Sequence, residues 1–219
     1  MDRINRLSTR MARFEHTDLY VVITESFCAS RPALDVLDAV LEAGVRLVQL
    51  REKRLEGGEL YARARAFCKR TRRVGALLII DDRLDIALAV GADGVHLGQS
   101  DLPIEAARRI APELVLGGSA HNLDEALAAQ DAGASYVNIG PIFPTATKEA
   151  PTGAVGPDLI TDIAPHLSIP FTCMGGIKAH NIGQVVSRGA RHVAVVTAVT
   201  AAANPRAAAA ELREATRPR

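Results

Sequence analysis

The segment Gln49-Leu50-Arg51-Glu52-Lys53 sets an amide, a guanidinium and an ammonium at alternate positions. At the end of a β-strand all three would share one face. Two cations on an inward face call for an anion. Arginine grips phosphate oxygens with two parallel donors, and lysine adds a point charge. A solvated strand end with local ion pairs is the plainer alternative. Further on, Asp81-Asp82-Arg83 and Gln99-Ser100-Asp101 supply carboxylates. Beside a phosphate they suit Mg²⁺, which takes oxygen ligands and shares substrate phosphates, so Asp82 and Asp101 are candidate ligands. Equally, Asp101 can cap a helix beginning at Leu102-Pro103, and Asp82 can pair with Arg83.

Three later segments add to this chemistry. Gly118-Ser119-Ala120-His121 combines small residues, which let a ligand approach the backbone, with a hydroxyl and a histidine able to shuttle a proton. GPIFPTATKEAPTGAVG (140–156) follows an apolar run and has neither helical nor strand period. Its prolines stiffen the backbone ahead of Thr145, Thr147 and Lys148, and two hydroxyls with one ammonium fit a phosphate-rich ligand. It reads as an active-site lid, with an ordinary surface loop as the alternative. Met174-Gly175-Gly176-Ile177 and Val196-Thr197 come last. Gly176 and Thr197 fit a phosphate site; a tight turn beside a small barrel-lining residue is the other reading.

These residues need elements to position them. Apolar, β-branched runs occur at 19–24, 45–51, 76–81, 94–98, 114–119, 135–140, 169–176 and 192–199. They are nearly continuous, as strands buried on both faces should be. Amphipathic Ala-, Leu-, Arg- and Glu-rich segments separate them, with Asn122 and Asn204 placed as N-caps. Eight such units predict one α/β domain, a single (β/α)8 TIM barrel over 19–219. An open doubly wound sheet is the runner-up, weakened because no GxGxxG follows the first strand. In a barrel, function gathers at the C-terminal strand ends, where every candidate above lies. Two anion sites over one mouth would suit two phosphorylated substrates joined with loss of pyrophosphate.

Bulk properties narrow the class. The 219 residues are 48% hydrophobic and 4% aromatic, with a formal net charge of +1. That argues against an extended nucleic-acid footprint. No run of 18 apolar residues predicts a membrane span. Cys28, Cys68 and Cys173 are odd in number and lack CxxC spacing, which fits a reducing cytoplasm. The first 18 residues, MDRINRLSTRMARFEHTD, lack the apolar core of a secretory signal and read as a flexible leader. The expected partners are small phosphorylated molecules, and a homo-oligomer is compatible with the sequence.

The motifs QLREK (49–53), DDR (81–83), GADGVHLGQSD (91–101), GSAH (118–121), GPIFPTATK (140–148), MGGI (174–177) and VAVVTAV (193–199) occur in order at these strand ends. Together they resemble the thiamine-phosphate synthase family, from about Leu19 to the C-terminal helix. The resemblance implies a (β/α)8 barrel that joins hydroxymethylpyrimidine diphosphate to hydroxyethylthiazole phosphate or its carboxylated form. It implies Gln49 near the pyrimidine, and Arg51, Lys53, Lys148 and Ser119 on the diphosphate as the catalytic set. It implies Mg²⁺ on Asp82 and Asp101, Thr145 and Thr147 beside the thiazole, and Gly176, Val196 and Thr197 at the thiazole phosphate. Two positions depart from the family pattern. Asp81 stands where the family usually has Asn, so an acceptor-only group replaces an amide that also donates. Thr197 stands where Ser is common, and its hydroxyl survives. A related thiazole tautomerase would use the position of His121, but the full diphosphate set favours the synthase. A silent phosphate-binding regulator would bind without turnover, and sugar-phosphate isomerases need only one phosphate site.

Overall fold

The computed structural model describes residues 3–145, 147 and 153–216. Lys148 therefore lies outside the described residues. In chain order the elements are helix α1 (Arg3–Glu15), β1 (Leu19–Ile23), α2 (Ala33–Glu42), β2 (Leu47–Leu50), α3 (Gly57–Arg73), β3 (Leu77–Asp81), α4 (Leu84–Val90), β4 (Gly94–Leu97), α5 (Ile104–Ile110), β5 (Val115–Ala120), α6 (Leu123–Asp131), β6 (Tyr136–Ile139), α7 (Asp158–Ile163), β7 (Phe171–Cys173), α8 (Ile182–Val186), β8 (His192–Val195), α9 (Thr197–Thr200) and α10 (Pro205–Thr216). The strands pair in parallel, each with the next, and β8 closes on β1. This is the (β/α)8 barrel that the alternation of runs predicts.

The two-residue strand period divides the core. Val21, Val48, Leu78, Ile80 and Val137 turn outward and pack beneath the helices. Tyr20, Leu47, Leu77, Ile79, Val115, Tyr136 and Ala194 turn inward and form a separate cluster. Asn122 caps α6 by accepting from the Glu125 N–H at 2.9 Å, and Asn204 caps α10 by accepting from the Ala207 N–H at 3.0 Å. Both caps agree with the sequence.

Two runs are shorter as strands than they read. The run at 192–199 stays extended only to Val195, and Thr197 opens a turn of helix. The run at 169–176 is a strand only over Phe171–Cys173. Its Gly175 and Gly176 have φ of 101° and 62°, which breaks the extended conformation.

The expected flexible leader over residues 1–18 is replaced by α1 across most of its length. Leu7, Met11 and Phe14 recur at helical spacing and face the inner cluster. Phe14 is fully buried and stacks on Tyr136 with ring centroids 4.9 Å apart. Arg10 donates to the Glu113 carbonyl at 2.6 Å, and Arg13 donates to Asp93 at 3.3 Å and to the Gly75 carbonyl at 2.9 Å. The helix thus seals the end of the barrel opposite the strand C-termini. Among the described residues no helix is long and apolar enough to cross a membrane, and Cys28, Cys68 and Cys173 are free and buried.

Phe14→Ala should cost about 3–5 kcal/mol of stability in urea unfolding, the usual range for emptying a buried aromatic site. A loss under about 1 kcal/mol would show that α1 is not part of the core.

Candidate active site

A cavity of about 450 Å³ opens at the C-terminal end of the barrel. Every described residue that the sequence singled out for the site lines it: Gln49, Arg51, Lys53, Asp81, Asp82, Asp101, Ser119, Thr145, Thr147, Gly176, Val196 and Thr197.

Strand β2 delivers the cations. The Arg51 N–H donates to the Ile23 carbonyl at 2.9 Å, and Thr24 Oγ1 donates to the Arg51 carbonyl at 2.6 Å, which carries the strand geometry past its formal end. Alternation then sends Gln49, Arg51 and Lys53 inward and Glu52 away, where Glu52 accepts from Arg63 at 2.9 Å. Each cation has a carboxylate partner. Asp81 Oδ2 lies 3.5 Å from Arg51 Nε and 3.2 Å from Lys53 Nζ. Lys53 also bonds Asp82. Burial alone would lower the Lys53 pKa, but the two aspartates outweigh it and hold it above its ordinary value.

Asp82 sits at φ 59°, left-handed backbone that aspartate tolerates better than most residues. Its N–H donates to the His96 carbonyl at 2.8 Å, which ties the turn to β4. Arg83 pairs with Asp85 at 2.6 Å and leaves Asp82 to the cavity, so the pairing with Arg83 offered by the sequence is not used. Asp101 does not cap α5, whose N-cap is Pro103. Asp101 Oδ2 instead accepts from the Gly98 N–H at 2.7 Å. Asp82 and Asp101 approach closely enough to share a hydrogen bond. Burial, then the charge of Asp81, push the Asp82 carboxyl up to about 6. Burial would also raise Asp101, but Asp82, the Gly98 N–H and Lys53 together hold it low. A raised and a lowered carboxyl side by side are what crowded negative charge produces. Among the described residues no group of three or more His, Cys, Asp or Glu side chains is placed to hold a metal. Asp82 and Asp101 supply two oxygen donors, which is enough for an ion that keeps waters and substrate phosphates as its other ligands.

Strand β5 corrects one expectation. Gly118 does not open the backbone to a ligand, because a Cβ there would meet Ile104 and Ala129 under the helices. The inward glycine is Gly117, where a Cβ would lie 2.5 Å from His96 Nδ1 and overlap Tyr136. Ser119 also faces inward, and its Oγ lies 3.0 Å from His96 Nε2. His121 reaches the cavity wall, with Nδ1 2.7 Å from Glu125 Oε2.

The loops after β6 and β7 are stitched together. The Ile142 N–H donates to the Met174 carbonyl at 2.8 Å, and the Phe143 N–H to the Gly175 carbonyl at 2.9 Å. A Cβ on Gly176 would lie 2.5 Å from the Pro144 carbonyl oxygen, so glycine permits this approach. Thr145 Oγ1 and Thr147 Oγ1 are 2.9 Å apart beside it. In an eight-stranded closed barrel β7 lies across from β3, so Gly176 faces the cationic and acidic side over the mouth.

Some lining residues were not singled out as site residues in the sequence. Tyr20, His96 and Asn138 are buried polar groups on the inner face. Asn138 accepts from Thr172 Oγ1 at 2.7 Å. The signal for Asn138 was its place two residues after Tyr136 in YVNI, on the inward side of the strand.

The family model described as thiamine monophosphate synthase matches residues 19–199. The chain belongs to this family. It is 44% identical to the thiamine-phosphate synthase of Chloroflexus aurantiacus over 89% of this chain and 90% of that protein. It is 46% identical to the thiamine biosynthesis bifunctional protein ThiM/ThiE of Symbiobacterium thermophilum over 89% of this chain, and spans 40% of that longer protein. Its backbone matches the thiamine phosphate pyrophosphorylase of Pyrococcus furiosus with a TM-score of 0.84 and 35% identity, over 98% of both chains. By family it is a transferase of thiamine biosynthesis.

Because Asp81 is one cause of the raised Asp82 pKa, Asp81→Asn should lower it. A ¹³C carboxyl titration by NMR in metal-free buffer should place wild-type Asp82 near 6 and the variant clearly below. An unchanged midpoint would leave burial and the hydrogen bond with Asp101 as the causes.

Proposed function

We propose that this chain joins hydroxymethylpyrimidine diphosphate to hydroxyethylthiazole phosphate, or its carboxylated form, giving thiamine phosphate and pyrophosphate. The observation that carries the reading is the two-sided cavity. Arg51, Lys53, Asp82, Asp101 and Ser119 gather on one wall, and Gly176, Val196 and Thr197 on the other. The family match supports the same assignment.

In this reading Arg51, Lys53 and Ser119 hold the diphosphate, joined by Lys148. Gln49 and Asp81 meet the pyrimidine. Thr145 and Thr147 face the thiazole, and Gly176, Val196 and Thr197 hold its phosphate. The bond from the pyrimidinylmethyl carbon to the diphosphate oxygen breaks, and both electrons leave with pyrophosphate. The aminopyrimidine spreads the positive charge left on carbon. The thiazole nitrogen lone pair then forms the new C–N bond, and no proton need move. The chain's contribution is to steady charge on the leaving oxygens and to keep the nucleophile close. No covalent nucleophile is needed.

Asp82 and Asp101 would hold Mg²⁺, which when bound neutralises charge on the leaving diphosphate. A proton at Asp82 competes with the ion. The Mg²⁺ concentration for half-maximal activity should therefore rise as pH falls through about 6. The collected diphosphate set favours the synthase over the tautomerase, and His121 in this reading only supports the loop beside Ser119. Three free buried thiols and the class of substrate support a cytoplasmic protein.

The test is thiamine phosphate formation by purified protein from both phosphorylated substrates, first with Mg²⁺ and then with EDTA. Metal-dependent product with one pyrophosphate per turnover is expected. No product, with both substrates shown to bind, would overturn the reading. Lys53→Ala should lower kcat/KM for the diphosphate about ten- to hundredfold, the worth of one charge-assisted hydrogen bond. Unchanged turnover would remove Lys53 from the diphosphate.

A further inference from the structure

Beneath the cavity floor, five side chains form one continuous hydrogen-bonded chain. Gln49 Nε2 donates to Tyr20 OH at 2.7 Å. Tyr20 OH lies 3.0 Å from Tyr136 OH, and Tyr136 OH lies 3.1 Å from His96 Nδ1. His96 Nε2 lies 3.0 Å from Ser119 Oγ. All five residues are buried, and none is more than 9% exposed. Strands β1, β2, β4, β5 and β6 each contribute one member, so the chain crosses the barrel interior.

Counting protons gives the chain a direction. Tyr20 accepts a hydrogen bond from Gln49, so its own O–H donates to Tyr136. The Tyr136 O–H then donates to His96 Nδ1. A neutral imidazole accepting at Nδ1 carries its proton at Nε2 and donates to Ser119 Oγ. Ser119 is left with a hydroxyl proton to offer the cavity. At the other end, Gln49 has turned Nε2 downward, and its Oε1 accepts no hydrogen bond among the described residues. Asp81 Oδ2, one strand over, is also buried, and it is held by its ion pairs with Lys53 and Arg51. Burial raises both tyrosine pKa values, so both phenols keep their protons. Phe14 stacks under Tyr136 and closes the chain from below. Gly117 leaves the room that the Tyr136 ring and His96 fill.

We propose that this one-way chain fixes the polarity of the site: Tyr20, Tyr136 and His96 are positioning residues that hold Gln49 with its carbonyl oxygen, and Ser119 with its hydroxyl proton, toward the ligands. The floor at Gln49 then presents an acceptor, with the Asp81 carboxylate one strand over. It selects a ring bearing an exocyclic amino group over one bearing a carbonyl oxygen at the same position. The Ser119 end presents a donor, suited to a diphosphate oxygen. The link to ring selection rests on the pyrimidine assignment above, whereas the direction of the chain does not.

Two measurements test it. The first is the ¹⁵N NMR tautomer of His96 in ligand-free wild-type protein, assigned by triple-resonance correlation. The neutral form protonated at Nε2 is expected, shifting toward a mixture in Tyr136→Phe. A proton at Nδ1 or a charged ring in the wild type would overturn the direction. The second is competitive inhibition by hydroxymethylpyrimidine monophosphate and by its analogue with a 4-oxo group in place of the 4-amino group. In Tyr20→Phe the amide of Gln49 is free to flip, so the preference for the amino compound should fall about tenfold, the worth of one hydrogen bond. A tyrosine that only fills space would weaken both inhibitors alike and leave their ratio unchanged, which would overturn the positioning role. Thermal unfolding of each variant separates these outcomes from misfolding, and the wild-type tautomer stands whatever the variants do. If the wild type forms no thiamine phosphate, the reaction assignment fails while the tautomer still reports on the chain.

Discussion

The inside of a closed barrel has no water to satisfy what the strands point into it. Every second residue of eight strands must find its partner among the other inward side chains. The rest of this molecule follows from how that demand is met at each level. At the bottom the inward residues are apolar and α1 closes them off with Phe14. In the middle they are polar, and they pair end to end from Gln49 to Ser119. At the top they are charged, and Arg51, Lys53, Asp81 and Asp82 neutralise one another. Along β2 polarity rises toward the mouth in steps of two residues, from Leu47 through Gln49 to Arg51 and Lys53.

This layering explains what the sequence made legible. Charged residues at the ends of apolar runs stand out, and Gln49, Arg51, Lys53, Asp81, Asp82 and Asp101 all reach one cavity. Glycine pairs and prolines stand out as well. The middle layer does not. Tyr20 and Tyr136 sit inside LYVVI and YVNI, where an aromatic residue reads as ordinary strand packing. Only the closure of the barrel brings their hydroxyls within 3.0 Å. His96 lies in GVHL and shows no spacing signal of its own; the partners of its ring come from β5 and β6. The arginine-rich composition of residues 1–18 hid the spacing of Leu7, Met11 and Phe14, a helical stripe that has meaning only once a barrel bottom exists to receive it.

Close approach replaces strength of any single contact around the mouth. The β6 and β7 loops meet backbone to backbone because Gly175 and Gly176 adopt left-handed φ and carry no Cβ. Their hydrogen bonds fix Pro141, Ile142 and Phe143, so Thr145 and Thr147 leave a rigid anchor. On the other side, Asp82 takes a left-handed turn of its own, held by its N–H on β4. Strain of about 1–3 kcal/mol at such a residue persists only when its surroundings hold it there. Here the Lys53 ammonium and the β4 backbone do so.

Asp81 gives this charge balance its particular character. An amide at that position would leave Arg51 and Lys53 with less opposing charge. A carboxylate 3.2 Å from Lys53 and 3.5 Å from Arg51 neutralises them before any ligand arrives. In the proposed reading an incoming diphosphate would therefore compete with Asp81 and Asp82 for the same cations. In that reading a diphosphate that brings a divalent cation would compete better than a bare one, since the ion would take up Asp82 and free Lys53. In the proposed reading the same carboxylate faces the pyrimidine. There it would stabilise positive charge growing on the ring as the diphosphate departs, whereas an amide would offer only a dipole. In that reading Asp81 would oppose binding of the bare diphosphate and favour the charge separation that follows, so its net effect would divide between KM and kcat.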